Sequence, residues 1–191
     1  MFEEMVGLQP NIFQMSNITK ITLTDIPEVV ALVNSAYRGE HSKKGWTSES
    51  HLLEGIRIDE AEMTGYFHRP EITLLKYTKG EEQIVGFVYL EKVENKRLYL
   101  GMLTVKPTLQ ASGVGRQLLE AGDQWARELG CEAIKISVIT TRLELIDWYK
   151  RRGYIATGET MPLVTHTSKA LVPITLMIME KAVGDRIKNI E

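Results

Sequence analysis

Hydrophobic positions in this chain change their period along its length, and each change marks an element. Residues 17–23 read as a short strand. Asp25 followed by Glu28 is a capping-box signature, and it opens a helix whose apolar face is Val29, Val30, Val33 and Tyr37 and which ends near Gly39. Residues 40–47 are polar and contain a glycine, which predicts a loop, and residues 48–66 predict one or two weaker helices. Residues 72–77, 84–91 and 97–105 read as strands joined by the turns Lys79-Gly80-Glu81 and Glu94-Asn95-Lys96. Turns this short make them an antiparallel meander.

After Pro107 the period becomes helical. Val114, Leu118, Ala121, Gly122, Trp125 and Leu129 recur on one face, with Arg116, Glu120, Asp123 and Arg127 opposite and Gly130 as the stop. Residues 133–139 predict a strand, residues 143–152 an amphipathic helix closed by Gly153, residues 154–157 the start of another strand, and residues 174–179 a last one. Antiparallel strands followed by alternating strands and helices imply an α+β (mixed α/β) fold, a mixed sheet with helices on both faces. Neither a repeat nor a low-complexity linker interrupts the pattern, so the expectation is one domain over residues 17–191 behind a loosely held lead-in, residues 1–16.

Composition narrows the function classes. The 191 residues are 43% hydrophobic and 25% charged, as in an ordinary globular protein. A formal net charge of -2 leaves no general basic field for holding a nucleic acid. The single cysteine, Cys131, excludes an intrachain disulfide and a Cys-rich metal cluster; it reads as a buried small hydrophobe, with a reactive thiol as the alternative. The first residues carry Glu3 and Glu4 where a signal peptide needs Lys or Arg, and the apolar stretches 84–90 and 171–179 are too short to span a bilayer. A soluble, cytoplasmic protein with no membrane partner is expected. His41, His51, His68 and His166 show no metal-ligand spacing, so no metal is expected either.

The stretch with most chemistry runs from Val105 to Arg116, between a predicted strand and a long helix. A glycine-rich turn at a helix N-terminus exposes backbone N–H groups and suits a pyrophosphate, although such turns also use glycine for conformation alone. A Walker-type loop needs Gly-Lys-Ser/Thr, and here Arg116-Gln117 follows Gly115; a dinucleotide fingerprint needs a third glycine where Leu118 stands.

Gln110-x-x-Gly113-x-Gly115, with Val105-x-Pro107 before it and Leu118-Leu119 behind, resembles the coenzyme A signature of the GNAT superfamily of N-acetyltransferases. Downstream, Trp148-Tyr149 followed by Gly153-Tyr154 resembles the same family's aromatic-Tyr-x-x-x-Gly-Phe/Tyr segment, and in element order the resemblance spans roughly residues 18–180. It implies a GNAT-like acyltransferase fold with a central, mostly antiparallel sheet, and acetyl-CoA (coenzyme A) as cofactor. In such a fold the strand at 98–105 bends at a bulge and splays from the strand at 133–139, and the pantetheine arm pairs with the freed backbone of Leu103, Thr104 and Val105. Gly101 suits that bulge and equally suits a plain strand. The pyrophosphate is expected on the amides of Ala111, Ser112, Gly113, Val114, Gly115 and Arg116, beside Gln110.

The resemblance also assigns roles. Tyr149 aligns with a tyrosine that protonates the departing thiolate; phenol and thiol have reference pKa values within about two units, so the chemistry is sound. Its helical neighbours Leu145 and Ile146 leave a plain core tyrosine open. The backbone N–H of Leu103 is the expected oxyanion donor. Tyr99 stands where some relatives carry a Glu, which leaves Glu91, Glu40 and His41 as base candidates and a water relay as the preferred account. Arg142 stands where many relatives have an Asn, either reaching a CoA phosphate or starting a helix as a solvated cation. The acceptor is expected between residues 37–47 and 161–169, with Tyr37 and Trp46 as walls and Glu40 for a cationic amine. The function expected is transfer of an acetyl group to the primary amine of a small molecule. A non-catalytic acyl-CoA-binding or regulatory module and a protein N-acetyltransferase are the alternatives, and a homodimer is compatible with each.

Overall fold

The computed structural model describes residues 17–38, 42, 48–80, 83–165 and 167–184. Glu40, His41, Trp46 and His166, and the lead-in 1–16, lie outside them. Within these bounds the chain forms β1 (Ile18–Lys20), α1 (Ile26–Tyr37), β2 (Leu53–Gly55), α2 (Glu60–Phe67), β3 (Ile72–Lys79), β4 (Gln83–Val93) and β5 (Arg97–Val105). There follow α3 (Val114–Glu128), β6 (Ala133–Ile139), α4 (Leu143–Lys150), β7 (Ile155–Pro162), β8 (Ser168–Ala170) and β9 (Thr175–Ala182).

Seven strands make one sheet in the order β1-β3-β4-β5-β6-β9-β7, while β2 and β8 pair separately. Among the described strands only β5 and β6 run parallel; every other pairing is antiparallel. β3 and β4 feed two cores by alternation, as pleating requires. Leu75, Val85, Val88 and Leu90 pack with Leu118 of α3 and Ile146 of α4. Leu74, Ile84, Phe87 and Tyr89 pack on the other face with Val29 and Val33 of α1 and Met63 of α2. Burial on both faces explains why β4 reads as a continuous apolar run from Ile84 to Leu90.

Three expectations are corrected. The capping box is made one turn earlier, by Thr22 with Asp25, and Asp25 also pairs with Lys76 at 2.8 Å. Glu28 instead accepts from the Ile84 N–H at 3.0 Å, capping β4 rather than its own helix. The first part of 48–66 is not helical: Leu53, Glu54 and Gly55 form β2, held by β8 more than a hundred residues away, a partner that no local pattern announces. Asp123 does not face open solvent; it forms an ion pair with Lys181 of β9. Cys131 is buried, which pushes its thiol pKa up.

Burial also raises the pKa values of Tyr37, Tyr66, Tyr89, Tyr149 and Tyr154 above the ordinary 10.0, with Tyr37 and Tyr66 at about 12. Above pH ~10 the unfolded chain releases these phenolic protons and the folded chain keeps them, so it is the folded state that loses ground as pH rises. Stability is therefore expected to be insensitive to these groups below pH ~10 and to fall above it, with phenolate absorbance appearing together with loss of helix signal. Full tyrosine titration in a still-folded chain would contradict this.

Candidate active site

β4 and β5 lose register between Phe87, which faces Thr104, and Tyr89, which faces Gly101. Met102 and Leu103 thus share the space opposite Val88, a β-bulge in which Met102 takes a left-handed φ of 45°. The bend turns β5 away from β6. The two strands pair only through Arg97, Leu98 and Tyr99 with Ala133, Ile134 and Lys135, and residues 100–105 have no register partner on β6.

Gly101 is not the left-handed residue of this bulge. A Cβ on it would lie 2.9 Å from Cε1 of Tyr99, so the position is glycine because that ring crosses over it. Tyr99 Oη in turn lies 2.8 Å from Ser137 Oγ, tying β5 to β6 just past their last paired residues. Gly101→Ala is therefore expected to destabilise the fold by about 1–3 kcal/mol through overpacking. Melting curves should show a smaller cost for the same substitution in a Tyr99→Ala background. Equal costs in both backgrounds would mean the ring is not the obstacle.

The gap opens into a cavity of about 680 Å³ that reaches from Val138 and Tyr149 to Tyr37, Tyr66 and Arg69. Tyr37 Oη donates to the Leu103 carbonyl at 2.8 Å, pinning the bulge to the end of α1. Tyr66, Tyr89 and Tyr99 stand edge to face along one wall, with ring centroids 5.1 Å and 6.3 Å apart. Their hydroxyls are spent: Tyr66 donates to Glu62, and Tyr89 donates to Glu91 at 2.6 Å. Glu91 also takes Arg69 at 2.7 Å, so this base candidate is already engaged by two donors. Met161, Leu163 and Thr165 line the cavity from the other expected acceptor segment.

Tyr149 projects from α4 with its ring edge-on to Trp148 at 5.0 Å and Tyr154 at 5.3 Å. The residue lines the cavity, and its hydroxyl makes no hydrogen bond to a described residue. Burial, reinforced by Tyr37, Tyr154 and Tyr99, pushes its pKa well above 10.0, so it stays protonated at working pH. Arg142, at the start of α4, is not a solvated cation: it is 5% exposed, donates to the Ser48 carbonyl at 3.0 Å and pairs with Glu144.

Between β5 and α3 the chain makes a 3₁₀ turn over Pro107–Leu109, and Ala111 (φ 67°) and Gly113 (φ 90°) then adopt left-handed conformations. Gly113 is the N-cap of α3 and offers no side chain to cap it, so the N–H groups of Val114, Gly115 and Arg116 lack intrahelical acceptors at the positive end of the helix. A Cβ at Gly115 would meet Val105 and Trp148 at ordinary contact distances, 3.5 Å and 3.7 Å, so packing alone does not demand glycine there. The Arg152 guanidinium stacks 3.6 Å from the Trp148 ring centroid. Burial lowers its pKa, and Arg151 and Arg116 lower it further, which marks a concentration of positive charge at this end of the site. Left-handed turn, bare helix terminus and cations together fit a diphosphate group.

The profile of the acetyltransferase (GNAT) family matches residues 28–154. The chain belongs to the GNAT acetyltransferase family. The family that this profile describes is one of acetyltransferases. A mycothiol acetyltransferase of Propionibacterium freudenreichii subsp. shermanii is 26% identical over 56% of this chain, which spans only 45% of that protein. The ribosomal-protein-S18-alanine N-acetyltransferase of Escherichia coli superposes with TM-score 0.65 at 16% identity, covering 91% of this chain and 97% of that one. A Bacillus anthracis structure described as a streptothricin acetyltransferase, solved in complex with acetyl coenzyme A, gives TM-score 0.52 at 21% identity over 63% of this chain and 68% of its own. At these identities the structural likeness shows the GNAT fold alone.

Within this GNAT fold, Tyr37, Tyr99, Leu103 and Tyr149 come together at one cavity, while Gln110 through Arg116 lie at the neighbouring helix end. The sequence reading missed Arg57, Tyr66, Ser137 and Arg152. Arg152 was open to notice, four residues after Trp148 on one helical face. Arg57 carries no local signal, because it sits between β2 and α2 in a stretch whose own pattern suggests helix. Among the described residues no group of His, Cys, Asp and Glu could hold a metal ion. Nor is any described helix long and apolar enough to cross a membrane.

Proposed function

We propose that this enzyme acetylates the primary amine of a small molecule, with the amine attacking the acetyl group directly. The reading rests on one observation: one cavity joins the freed edge of β5 and the Tyr149 hydroxyl, which has no hydrogen-bond partner among the described residues, to a tyrosine-walled chamber. Its size lies in the range of small-molecule sites, about 300–1,000 Å³.

The backbone of Leu103, Thr104 and Val105 would pair with the pantetheine amides. The N–H groups of Ala111, Gly113, Val114, Gly115 and Arg116 would take the pyrophosphate, with Arg116 and Arg152 as counter-charge, while the Ser112 N–H already donates to the Leu109 carbonyl at 3.3 Å. When bound, acetyl-CoA supplies an activated acetyl thioester. The Leu103 N–H would be the donor toward the thioester carbonyl oxygen, and the Tyr37 bond to the Leu103 carbonyl holds the bulge in place for that purpose. Tyr149 Oη, protonated at working pH, would supply the proton that the thiolate needs on leaving. The acceptor's own proton leaves through water along the polar wall, since Glu91 is engaged by Tyr89 and Arg69.

Incubation with acetyl-CoA and a mixed panel of small amines and peptide N-termini, followed by mass spectrometry, tests the acceptor class. Acetylation of small amines is the expected result. Acetylation confined to peptides would transfer the reading to a protein acceptor.

A further inference from the structure

The charged side chains around the cavity are nearly all committed. Arg38 pairs with Glu49 at 2.7 Å, Arg69 with Glu91 at 2.7 Å, and Arg142 with Glu144. Lys135 lies 3.9 Å from Glu159, and Glu62 accepts the Tyr66 hydroxyl. Arg57 is different. It lines the cavity, and its side chain has no carboxylate or hydrogen-bond acceptor among the described residues; the Tyr37 ring lies 5.9 Å from centroid to Cζ, and the Tyr66 phenol is close enough to feel its charge.

The backbone beneath it is fixed on two sides. Arg57 N donates to Asn34 Oδ1 of α1 at 2.7 Å, and Arg57 O accepts from Thr167 Oγ1 at 3.2 Å. The cation is thus held beside Tyr37, the residue whose hydroxyl reaches Leu103 at the bulge. A planar guanidinium at the wall of a cavity whose other lining cations each have a carboxylate nearby recognises a planar anion by two parallel hydrogen bonds.

We propose that Arg57 binds a carboxylate of the acceptor, so that the substrate is an amino acid or another amino-carboxylate, with its amine turned toward Leu103 and Tyr149. The inference rests on the amine-acetylation reading above and narrows it, setting a free polyamine aside because it would bring only positive charge to Arg57.

The test compares matched pairs, an amino acid and the amine left when its carboxylate is removed, such as lysine with cadaverine and phenylalanine with phenethylamine. The carboxylate-bearing member is expected to have the higher kcat/KM by roughly 10- to 100-fold, mostly through KM, as for a charge-assisted hydrogen-bonded pair. In Arg57→Ala the ratio within each pair should fall to near one, and in Arg57→Lys, which keeps the charge without the fork, to an intermediate value. A purely structural role through Tyr37 would lower both members together and leave the ratio intact, which would overturn the proposal; so would equal kcat/KM within pairs in the unmodified enzyme. If no amine is acetylated, the functional reading fails separately. Calorimetry of the same pairs on the CoA-loaded protein then decides on Arg57: tighter binding of the carboxylate member, lost in Arg57→Ala, upholds the site, and equal binding rejects it.

Discussion

Tyr149→Phe is expected to lower kcat by ~100- to 10,000-fold, the usual contribution of a general acid. The same variant should bind acetyl-CoA much as before, because Phe keeps the ring contacts with Trp148 and Tyr154. It should also fold with undiminished stability. The Tyr149 hydroxyl bonds no described residue, so its removal leaves no buried group orphaned. That combination separates the two readings left open by the sequence: a core tyrosine holding the fold through its hydroxyl would lose stability when truncated, and a catalytic one loses rate. Near-normal turnover, with chemistry shown to be rate-limiting, would return Tyr149 to the core.

Gly113→Val is expected to abolish most of the stabilisation that acetyl-CoA confers. Saturation at about 100 times Kd stabilises a protein by about 2.7 kcal/mol, a rise in Tm of several degrees. Gly113 holds φ at 90°, a region that β-branched residues avoid, and the adjustment needed costs about 1–3 kcal/mol and turns the amides of the α3 terminus out of register. Gly115→Ala is the control for packing. Its Cβ meets protein only at ordinary contact distance, so the ligand-free Tm should stay close to the unmodified value. A full acetyl-CoA shift in Gly113→Val would place the diphosphate elsewhere.

Much of the fold was legible in the sequence, because the apolar runs of β3 and β4, the alternation of β5 and β6 and the helical period of α3 are all local signals. β6 was read with its observed bounds, Ala133–Ile139. What escaped depends on partners distant in the chain. β2 exists because β8 lies beside it, and Glu28 turned from its own helix to the Ile84 N–H. The site divided in the same way. Gln110 to Arg116 and Tyr149 lie in contiguous motifs, so they could be named. The left-handed residue of the bulge is Met102, a type with no preference for that conformation, and the glycine beside it answers to the Tyr99 ring instead. Arg57 became visible only when the charges around the cavity were paired off in space.

The most direct test of the account is the release of free CoA thiol from acetyl-CoA as a function of added amine, measured with the unmodified protein and with Tyr149→Phe. The account predicts release that saturates with a small amine, matches the N-acetylated product mole for mole and nearly vanishes in the variant. Tight binding of CoA with no amine-dependent release would contradict it, leaving a binding module with a transferase's fold.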